Sequence, residues 1–430
     1  MKSGTQTETL SEPARELPVA GEFDVIVCGG GPAGVAAAIS AARSGASTLL
    51  IEAQGCLGGI WTSGLMPWVL DCGNKGGLMR ELDTALRRKD RPVTPPPVEA
   101  HLVGSEPPDC SGYDVEAAKH GLEQCCLEAG VRIRLHTRIC AVLSRGDRIV
   151  AAVTESKSGR EAWRAGVFID TTGDGDLSVR AGCGFEYGRP DAPGQAQPMS
   201  LNALISGVQL EQIRGFVNNY APPDTNPKAV LRDTLQRAGA DPSYGAPTIF
   251  HVYDDLFLLM ANHQYGARGF DADDITRATI GGRDEVRRLV NALRGAGREW
   301  ENLQLVATSA HIGVRESRRI HGRYRLTSDD LIRGSQFDDA VCTVTFPVDI
   351  HATDPAKGKA YGVDGVRAKP YQIPLRALIA KDRSNLMMAG RCISGDFFAH
   401  ASYRVTGNAV AMDEAAGATA AAAAKEGRLL

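Results

Sequence analysis

The chain has 430 residues, a formal net charge of −3 and 23% charged residues. This length exceeds one ordinary domain and permits a large buried core. The near-neutral charge argues against a nucleic-acid partner, and no apolar run approaches the ~20 residues that cross a bilayer. We expect a cytoplasmic protein without a membrane span whose partner is a small molecule, and the sequence is compatible with a homo-oligomer.

The amino terminus and the cysteines exclude further classes. Residues 1–20 are polar and lack the apolar core of a signal peptide, so they predict a disordered tail. The ten cysteines include no CxxC pair and no Cys/His spacing typical of zinc, so we predict no metal site. Most of these thiols are expected to be buried and free.

The stretch VIVCGGGPAGVAAAI at residues 25–39 places four glycines between an apolar run and an alanine-rich run. Residues 23–27 predict a short buried strand, and residues 32–44 predict a helix that packs tightly on a sheet. A second predicted strand at 47–51 ends in Glu52. The order of strand, glycine turn, helix, strand and acid is typical of a dinucleotide-binding βαβ unit.

Each glycine of this turn has its own expected role. Gly29 permits the sharp exit from the strand, and Gly31 lets the backbone approach a pyrophosphate. Gly34 lets the helix lie close to the first strand, while the free N–H groups at the helix start attract phosphate charge. Glu52 is placed to accept hydrogen bonds from the adenosine ribose hydroxyls. This unit alone leaves NAD and FAD as alternatives.

The order of elements predicts one domain inserted into another. Residues 91–110 contain six prolines and predict an exposed excursion or a lid. The pattern changes over residues 185–345, which predict an α+β substrate or cap domain. Residues 21–184 and 346–430 are predicted to form the first domain, which ends in an alanine-rich helix.

Three later stretches favour FAD over NAD. Residues 167–182, VFIDTTGDGDLSVRAG, resemble the second phosphate-side motif of flavoproteins with two dinucleotide-binding domains. Residues 385–394 resemble the strand that returns beneath a flavin, and residues 403–417 resemble the terminal helix that points at its pyrimidine ring. The backbone N–H groups near Thr406 and Gly407, with the helix dipole, are expected to stabilise reduced flavin by about 1–2 kcal/mol.

From residue 24 to about residue 424, the order of segments resembles the bacterial FAD-dependent oxidoreductase family of the glutathione-reductase-like superfamily. LGGIWTSGLMPWVLD, HIGVRESRRIHGRYRLTSDDL and PYQIPLRALI carry this resemblance together with the stretches above. It implies an α/β fold with a Rossmann-like FAD-binding domain of the GR2 type and FAD bound non-covalently. The residues expected to hold FAD are Gly29, Gly31, Pro32, Ala33, Gly34, Glu52, Ala53, Gly58, Gly59, Ile60, Arg138, Ile139, Gly173, Asp174, Gly390, Arg391, Val405, Thr406 and Gly407.

The residues that would act on a substrate follow from their place near the expected flavin. His400 is a candidate general base or substrate anchor, with a structural hydrogen bonder as the alternative. Arg404 would bind a substrate carboxylate or the flavin, or would form a salt bridge. Cys392 is a candidate nucleophile, although a packed thiol is favoured, and Arg315 would face the substrate or join the two domains by ion pairs. The candidates for the cavity wall are Gln197, Met199, Ser200, Phe397 and Phe398.

These observations predict a dehydrogenase or oxidase that moves a hydride between a small organic substrate, at a C–H next to oxygen or nitrogen, and flavin N5. Oxygen and another electron carrier are both left as acceptors. A monooxygenase, hydroxylase or reductase that uses NAD(P)H is the first alternative, because GDGDLSVR also resembles the Asp-Gly motif of flavin monooxygenases. A non-catalytic electron-transfer subunit is the second. No second GxGxxG unit is evident for NAD(P)H.

Overall fold

The computed structural model describes residues 9–86 and 113–430. The predicted proline-rich excursion at 91–110 and the first eight residues of the predicted tail lie outside the described residues. The strands in chain order are β1 (Val19–Cys28), β2 (Thr48–Ile51), β3 (Arg132–Arg134), β4 (Arg138–Arg145), β5 (Arg148–Ser156), β6 (Gly159–Asp170), β7 (Phe185–Glu186), β8 (Gly188–Arg189), β9 (Ala192–Pro193), β10 (Ala203–Ser206), β11 (Thr248–Tyr253), β12 (Leu256–Met260), β13 (Gln304–Thr308), β14 (Arg319–Ile320), β15 (Ala340–Val344), β16 (Ile350–His351), β17 (Tyr361–Gly362), β18 (Tyr371–Pro374) and β19 (Leu386–Met388).

The α-helices of the described residues lie between these strands. In chain order they are α1 (Pro32–Arg43), α2 (Gly77–Leu86), α3 (Val115–Glu128), α4 (Asp176–Arg180), α5 (Leu210–Ile213), α6 (Pro227–Arg237), α7 (Ala272–Arg294), α8 (Ser328–Arg333), α9 (Phe397–Tyr403) and α10 (Thr406–Glu426). None of them combines the length and the apolar composition that crossing a bilayer requires.

The first sheet has a parallel centre in the order β3, β2, β1 and β6. On the far side of β6, β5 pairs antiparallel with its first half, and β19 pairs parallel with its last three residues. All four residues of β2 are buried, as expected for a parallel strand that is covered on both faces. The predicted α/β class with a Rossmann-like sheet is confirmed. The first strand begins at Val19, so it takes in the end of the predicted tail.

Helices α1 and α10 pack against each other beside this sheet. Both are rich in alanine, which lets their backbones approach closely. A side chain at Gly417 would overlap the carbonyl oxygen of Ala37, so glycine is the residue that fits this crossing. The hydroxyl of Ser40 also donates to the carbonyl oxygen of Glu414. The end of the chain is thereby fixed to the helix that follows the glycine turn.

A second unit surrounds an antiparallel sheet in the order β11, β12, β10 and β13. Helices α6 and α7 contribute apolar side chains to its separate core, among them Leu235, Leu289 and Leu293. The apolar residues from Ile320 to Val344 pack instead in the core of the first sheet. In packing terms the second unit is therefore shorter than the predicted 185–345.

Candidate active site

One cavity of about 1280 Å³ lies between the two sheets. Its first wall is formed by the carboxyl ends of parallel strands, with Gly29 after β1, Glu52 after β2 and Thr171 after β6. Its opposite wall includes Phe250 from β11 and Met260 from β12. Ligand pockets usually measure about 300–1,000 Å³, so this cavity has room for a dinucleotide and a second molecule. The carboxyl edge of a parallel sheet is also where such folds bind ligands.

The glycines of the turn after β1 differ in what a side chain would meet. Gly29 has a φ of +110°, and a Cβ there would lie 2.5 Å from the carbonyl oxygen of Thr171. A Cβ at Gly34 would overlap the carbonyl oxygen of Gly29. Gly31 has a φ of −68°, and among the described residues, apart from Gly31 and its two chain neighbours, no atom lies within 4 Å of the position of its Cβ. The protein's own packing requires glycine at the first two positions, whereas at Gly31 the missing side chain keeps the cavity open.

The carboxylate of Glu52 is held at the end of β2 by backbone N–H groups. It accepts one hydrogen bond from Gly30 and another of 2.7 Å from Gln54. Glu52 is 8% exposed and lines the cavity. Each carboxylate oxygen has a further lone pair, so this side chain is able to accept hydrogen bonds from ribose hydroxyls.

The loops after β6 and β19 lie beside this turn at the same edge of the sheet. Arg391 forms an ion pair of 2.8 Å with Asp174, and both residues line the cavity. Gly173 and Gly390 have φ angles of +76° and +70°, which favour glycine over other residues. The predicted FAD residues that line the cavity are Gly29, Gly31, Pro32, Ala33, Glu52, Ala53, Gly59, Ile60, Arg138, Ile139, Gly173, Asp174, Gly390, Arg391, Val405 and Thr406.

Three predicted FAD residues lie behind this wall. Gly34 is covered by the turn, and Gly58 has a φ of +102° beside the side chain of Thr62. The N–H of Gly407 donates to the carbonyl oxygen of Leu70 at 3.0 Å. This corrects the expected contact between the Gly407 N–H and a flavin, because that donor already has a protein partner. The start of α10 reaches the cavity through Val405 and Thr406 instead.

The fold and this cavity define a flavoprotein that binds a dinucleotide at a Rossmann-like sheet. The chain belongs to the family described as FAD dependent oxidoreductase, whose model matches residues 24–430. Its cofactor is FAD, as predicted. The open space over Gly31, the fixed carboxylate of Glu52 and the helix start at Pro32 fit the pyrophosphate and ribose of this cofactor.

Several solved structures resemble the chain at low sequence identity. A geranylgeranyl bacteriochlorophyll reductase-like protein from Thermoplasma acidophilum is 15% identical, with a TM-score of 0.46 and coverage of 94% of this chain and 78% of that chain. The flavin-dependent brominase Bmp2 is 15% identical, with a TM-score of 0.45 and coverage of 94% and 79%. OxyS anhydrotetracycline hydroxylase from Streptomyces rimosus is 15% identical, with a TM-score of 0.41 and coverage of 70% and 54%.

A cluster of polar side chains lines the same cavity away from the glycine turn. It consists of Tyr244, Arg315, Asp349, His351 and Arg404, and we call it the polar cluster. Asp349 accepts a hydrogen bond of 3.1 Å from Arg404 and lies 3.3 Å from Nε2 of His351. The neighbouring positive charges and the hydrogen bond from His351 hold the pKa of the Asp349 carboxyl well below its usual range, despite its burial.

A chain of hydrogen bonds leads from the polar cluster into the second unit. Nδ1 of His351 lies 3.0 Å from Nε2 of His263, whose Nδ1 lies 3.2 Å from the hydroxyl of Tyr265. The Tyr265 hydroxyl in turn lies 3.1 Å from the carbonyl oxygen of Ser243. The ionised carboxylate of Asp349 accepts from the Nε2–H of His351, so Nδ1 of His351 accepts from the Nε2–H of His263.

Burial sets the charge of both histidines in this chain. Burial lowers the pKa of His351 to about 4; the positive charge of Arg315 acts in the same direction, and the negative charge of Asp349 opposes it. Burial also lowers the pKa of His263 far below its usual range. Both rings are therefore neutral in the folded protein near pH 7.

We expect stability to fall as the pH falls from 6.5 to 4. A histidine with a lowered folded pKa binds its proton first in the unfolded chain, so acid favours unfolding over this interval. For His351, whose pKa moves from 6.5 to about 4, the loss is about 3 kcal/mol. Urea unfolding of the holoprotein at several pH values measures it. The variant His351→Gln should show a smaller loss, and an equal loss in both proteins would contradict the assignment.

The structure corrects the prediction that places His400 at the flavin edge. The side chain is 0% exposed and is absent from the cavity wall. No described residue forms a hydrogen bond with either ring nitrogen. Burial, followed by the charges of Arg319, Arg404 and Arg391, lowers its pKa well below the usual range. A buried ring that resists protonation and does not reach the cavity is unsuited to act as a general base.

Replacing His400 with leucine is therefore expected to leave the rate of flavin reduction by substrate within about twofold of the wild type. Removing a buried polar ring without partners costs no hydrogen bond, so we expect the fold to persist. Anaerobic stopped-flow measurement of flavin bleaching checks this. A drop of more than about tenfold, which corresponds to ~1.4 kcal/mol in the barrier, would return His400 to the mechanism.

Five other predicted residues also lie away from the cavity wall. The thiol of Cys392 is buried and donates to the carbonyl oxygens of Ala389 and Asp170, and its pKa is raised by burial, so it is not an activated nucleophile. Phe397 and Phe398 pack against each other in α9, and Arg189 covers the ring of Phe397. The predicted wall residues outside the lining are Gln197, Met199, Phe397 and Phe398.

The remaining predicted residues do reach the cavity. Arg315, Arg404 and Ser200 line it, and Gln197 supports it from behind by accepting a hydrogen bond from the N–H of His351. The alternative role of Arg315 in an ion pair is not observed among the described residues; the buried ion pair of this segment joins Glu316 and Arg319 at 2.6 Å, three residues apart. Residue-by-residue interpretation did not identify Tyr244, His311, Asp349 and His351. The spacing of Asp349 and His351, two apart in an apolar run, is the sequence signal for the last pair.

Proposed function

We propose that the protein oxidises a small organic molecule at a C–H bond next to oxygen or nitrogen. The observation that carries this proposal is the continuity of the cavity, which joins the glycine turn to the polar cluster. FAD, held by the glycine turn and Glu52, would supply the oxidising power as a hydride acceptor. The C–H bond breaks, the electron pair leaves with the hydrogen, and the heteroatom loses a proton as its double bond to carbon forms.

The ionised carboxylate of Asp349 is the group of the polar cluster that can take up that proton, and because its pKa is held well below the usual range, it passes the proton on to solvent. Asp349 lines the cavity, and Arg404 fixes its carboxylate through a hydrogen bond to the backbone oxygen of Asp349 as well as to the side chain. Nε2 of His351 lies 3.3 Å from this carboxylate and donates to it, so the histidine orients the group that receives the proton.

The competing functions differ in which compound delivers electrons. A hydroxylase or reductase would take them from NAD(P)H, and a transfer subunit would take them from a protein partner. The sequence carries one glycine turn of the dinucleotide type and no CxxC dithiol. These features favour direct oxidation of a substrate in the cavity.

Absorption spectroscopy of the purified holoprotein tests the proposal. Flavin bands near ~370 and ~450 nm should bleach when an organic substrate is added without oxygen or NAD(P)H. Panels of alcohols, amines, hydroxy acids and amino acids cover the substrate classes in question. Bleaching by NAD(P)H alone would favour the hydroxylase or reductase, and bleaching only by a copurifying protein would favour the transfer subunit.

A further inference from the structure

We propose that Arg315 binds the carboxylate of the substrate, which is therefore an organic acid. This inference rests on the proposed function and names the class of molecule that the cavity accepts. It concerns the half of the cavity opposite the glycine turn, where Arg315 enters from the loop between β13 and β14.

The hydrogen bonds of Arg315 leave one edge of its guanidinium group free. Nη1 donates to the carbonyl oxygen of Pro198 at 2.8 Å and to the hydroxyl of Ser200 at 2.7 Å. Nε and Nη2 have no hydrogen-bond partner among the described residues, and neither is enclosed as a buried polar atom. An arginine side chain can bind a carboxylate through two parallel hydrogen bonds that Nε and Nη2 donate. The protein thus fixes the cation and leaves a binding edge open.

The charges of the polar cluster point to an anion as the missing partner. Asp349 neutralises Arg404 through their ion pair of 3.1 Å, and the histidines are neutral. No carboxylate of the described residues lies within ion-pairing distance of Arg315. Burial and the charge of Arg404 lower the pKa of Arg315 to about 10, so the guanidinium stays charged near pH 7. A cation held in a cavity without a counter-charge is costly, and a ligand carboxylate relieves that cost.

The apolar residues of the cavity wall indicate the chemical character of the rest of this acid. Trp68 and Phe250 stack with ring centroids 5.1 Å apart, and both line the cavity together with Met260. These side chains offer an apolar surface and no charge. An acid with an apolar body, of the type of an aromatic or branched aliphatic carboxylate, matches the cation on one side and the apolar wall on the other.

Titration of the holoprotein with benzoate and with benzamide tests the proposal. The two probes share shape and differ in charge, and binding is followed by the change in flavin absorbance. We expect benzoate to bind at least about tenfold more tightly than benzamide. Arg315→Gln should remove this preference while FAD remains bound. Arg376→Gln is the matched control, because Arg376 pairs with Asp339 at 2.6 Å away from the cavity wall.

Three outcomes would overturn the carboxylate site. They are equal affinities for benzoate and benzamide in the wild type, an unchanged preference in Arg315→Gln, and loss of FAD from that variant, which would assign the guanidinium to the cofactor. The experiment distinguishes a failure of the carboxylate site from a failure of the proposed oxidation. If a neutral alcohol or amine bleaches the flavin while benzoate does not bind, the oxidoreductase proposal holds and the organic-acid proposal is wrong.

Discussion

Replacing Gly31 with aspartate is expected to abolish FAD binding while the apoprotein keeps its fold. The backbone at Gly31 has an ordinary φ of −68°, and beyond its chain neighbours no residue in the described part of the chain comes within 4 Å of its Cβ position. A carboxylate there would occupy the approach to the pyrophosphate and repel its charge. We expect at least about a hundredfold loss of affinity, which corresponds to ~2.7 kcal/mol.

The ratio of flavin to protein absorbance after gel filtration measures this loss, and circular dichroism of the apoprotein measures the fold. Gly215→Asp is the matched control, because Gly215 also has open space around its Cβ position and lies outside the cavity wall. Gly29→Ala supplies the contrast, since its positive φ and its contact with Thr171 should lower both FAD binding and stability. A Gly31→Asp protein that retains its full yellow colour would contradict our assignment of the turn.

Replacing Asp349 with asparagine is expected to slow flavin reduction by about 10²- to 10⁴-fold, the usual contribution of a positioned acid or base. Asparagine keeps the shape of the side chain and one oxygen for Arg404, but it does not accept a proton. Because the positive charge of Arg315 and Arg404 is then uncompensated, an acidic substrate should bind as tightly as before or more tightly. The rate of reduction at saturation should fall while KM does not rise.

Rapid-reaction measurements over a range of substrate concentrations separate the two effects. Asp339→Asn is the control, because Asp339 forms the same kind of pair with Arg376 at 2.6 Å and lies off the cavity wall. FAD content should be equal in both variants. A variant at Asp349 with an unchanged rate of reduction would show that the proton leaves by another route.

The glycine turn was predictable because its constraints are local. Within thirty residues, the sequence contains the strand, the turn, the helix and the acid whose geometry defines the unit, and the structure places them as expected. The bounds of the first helix differ by one residue from the prediction, 32–43 against 32–44. The loops after β6 and β19 were predictable for the same reason, because each of them follows directly on a strand of this sheet.

The polar cluster was not predictable in this way because its members come from distant parts of the chain. Tyr244 lies in the loop before β11, and Arg315 lies in the loop after β13. Asp349 and Arg404 come after the second unit in the sequence. Only the packing of one sheet against the other brings them together. The prediction for His400 failed for a different reason. This residue lies three positions after Phe397 in α9, so both side chains lie on the same buried side of that helix. Helix phase alone argues against its exposure to the cavity.

The pairing of β19 with β6 and the packing of α10 on α1 have a consequence for biosynthesis. The glycine turn is translated before the second unit, whereas Gly390, Arg391 and Thr406 of the same cavity are translated after it. The complete pocket for the cofactor therefore forms only once the second unit has been synthesised, and a chain that stalls within that unit cannot assemble it.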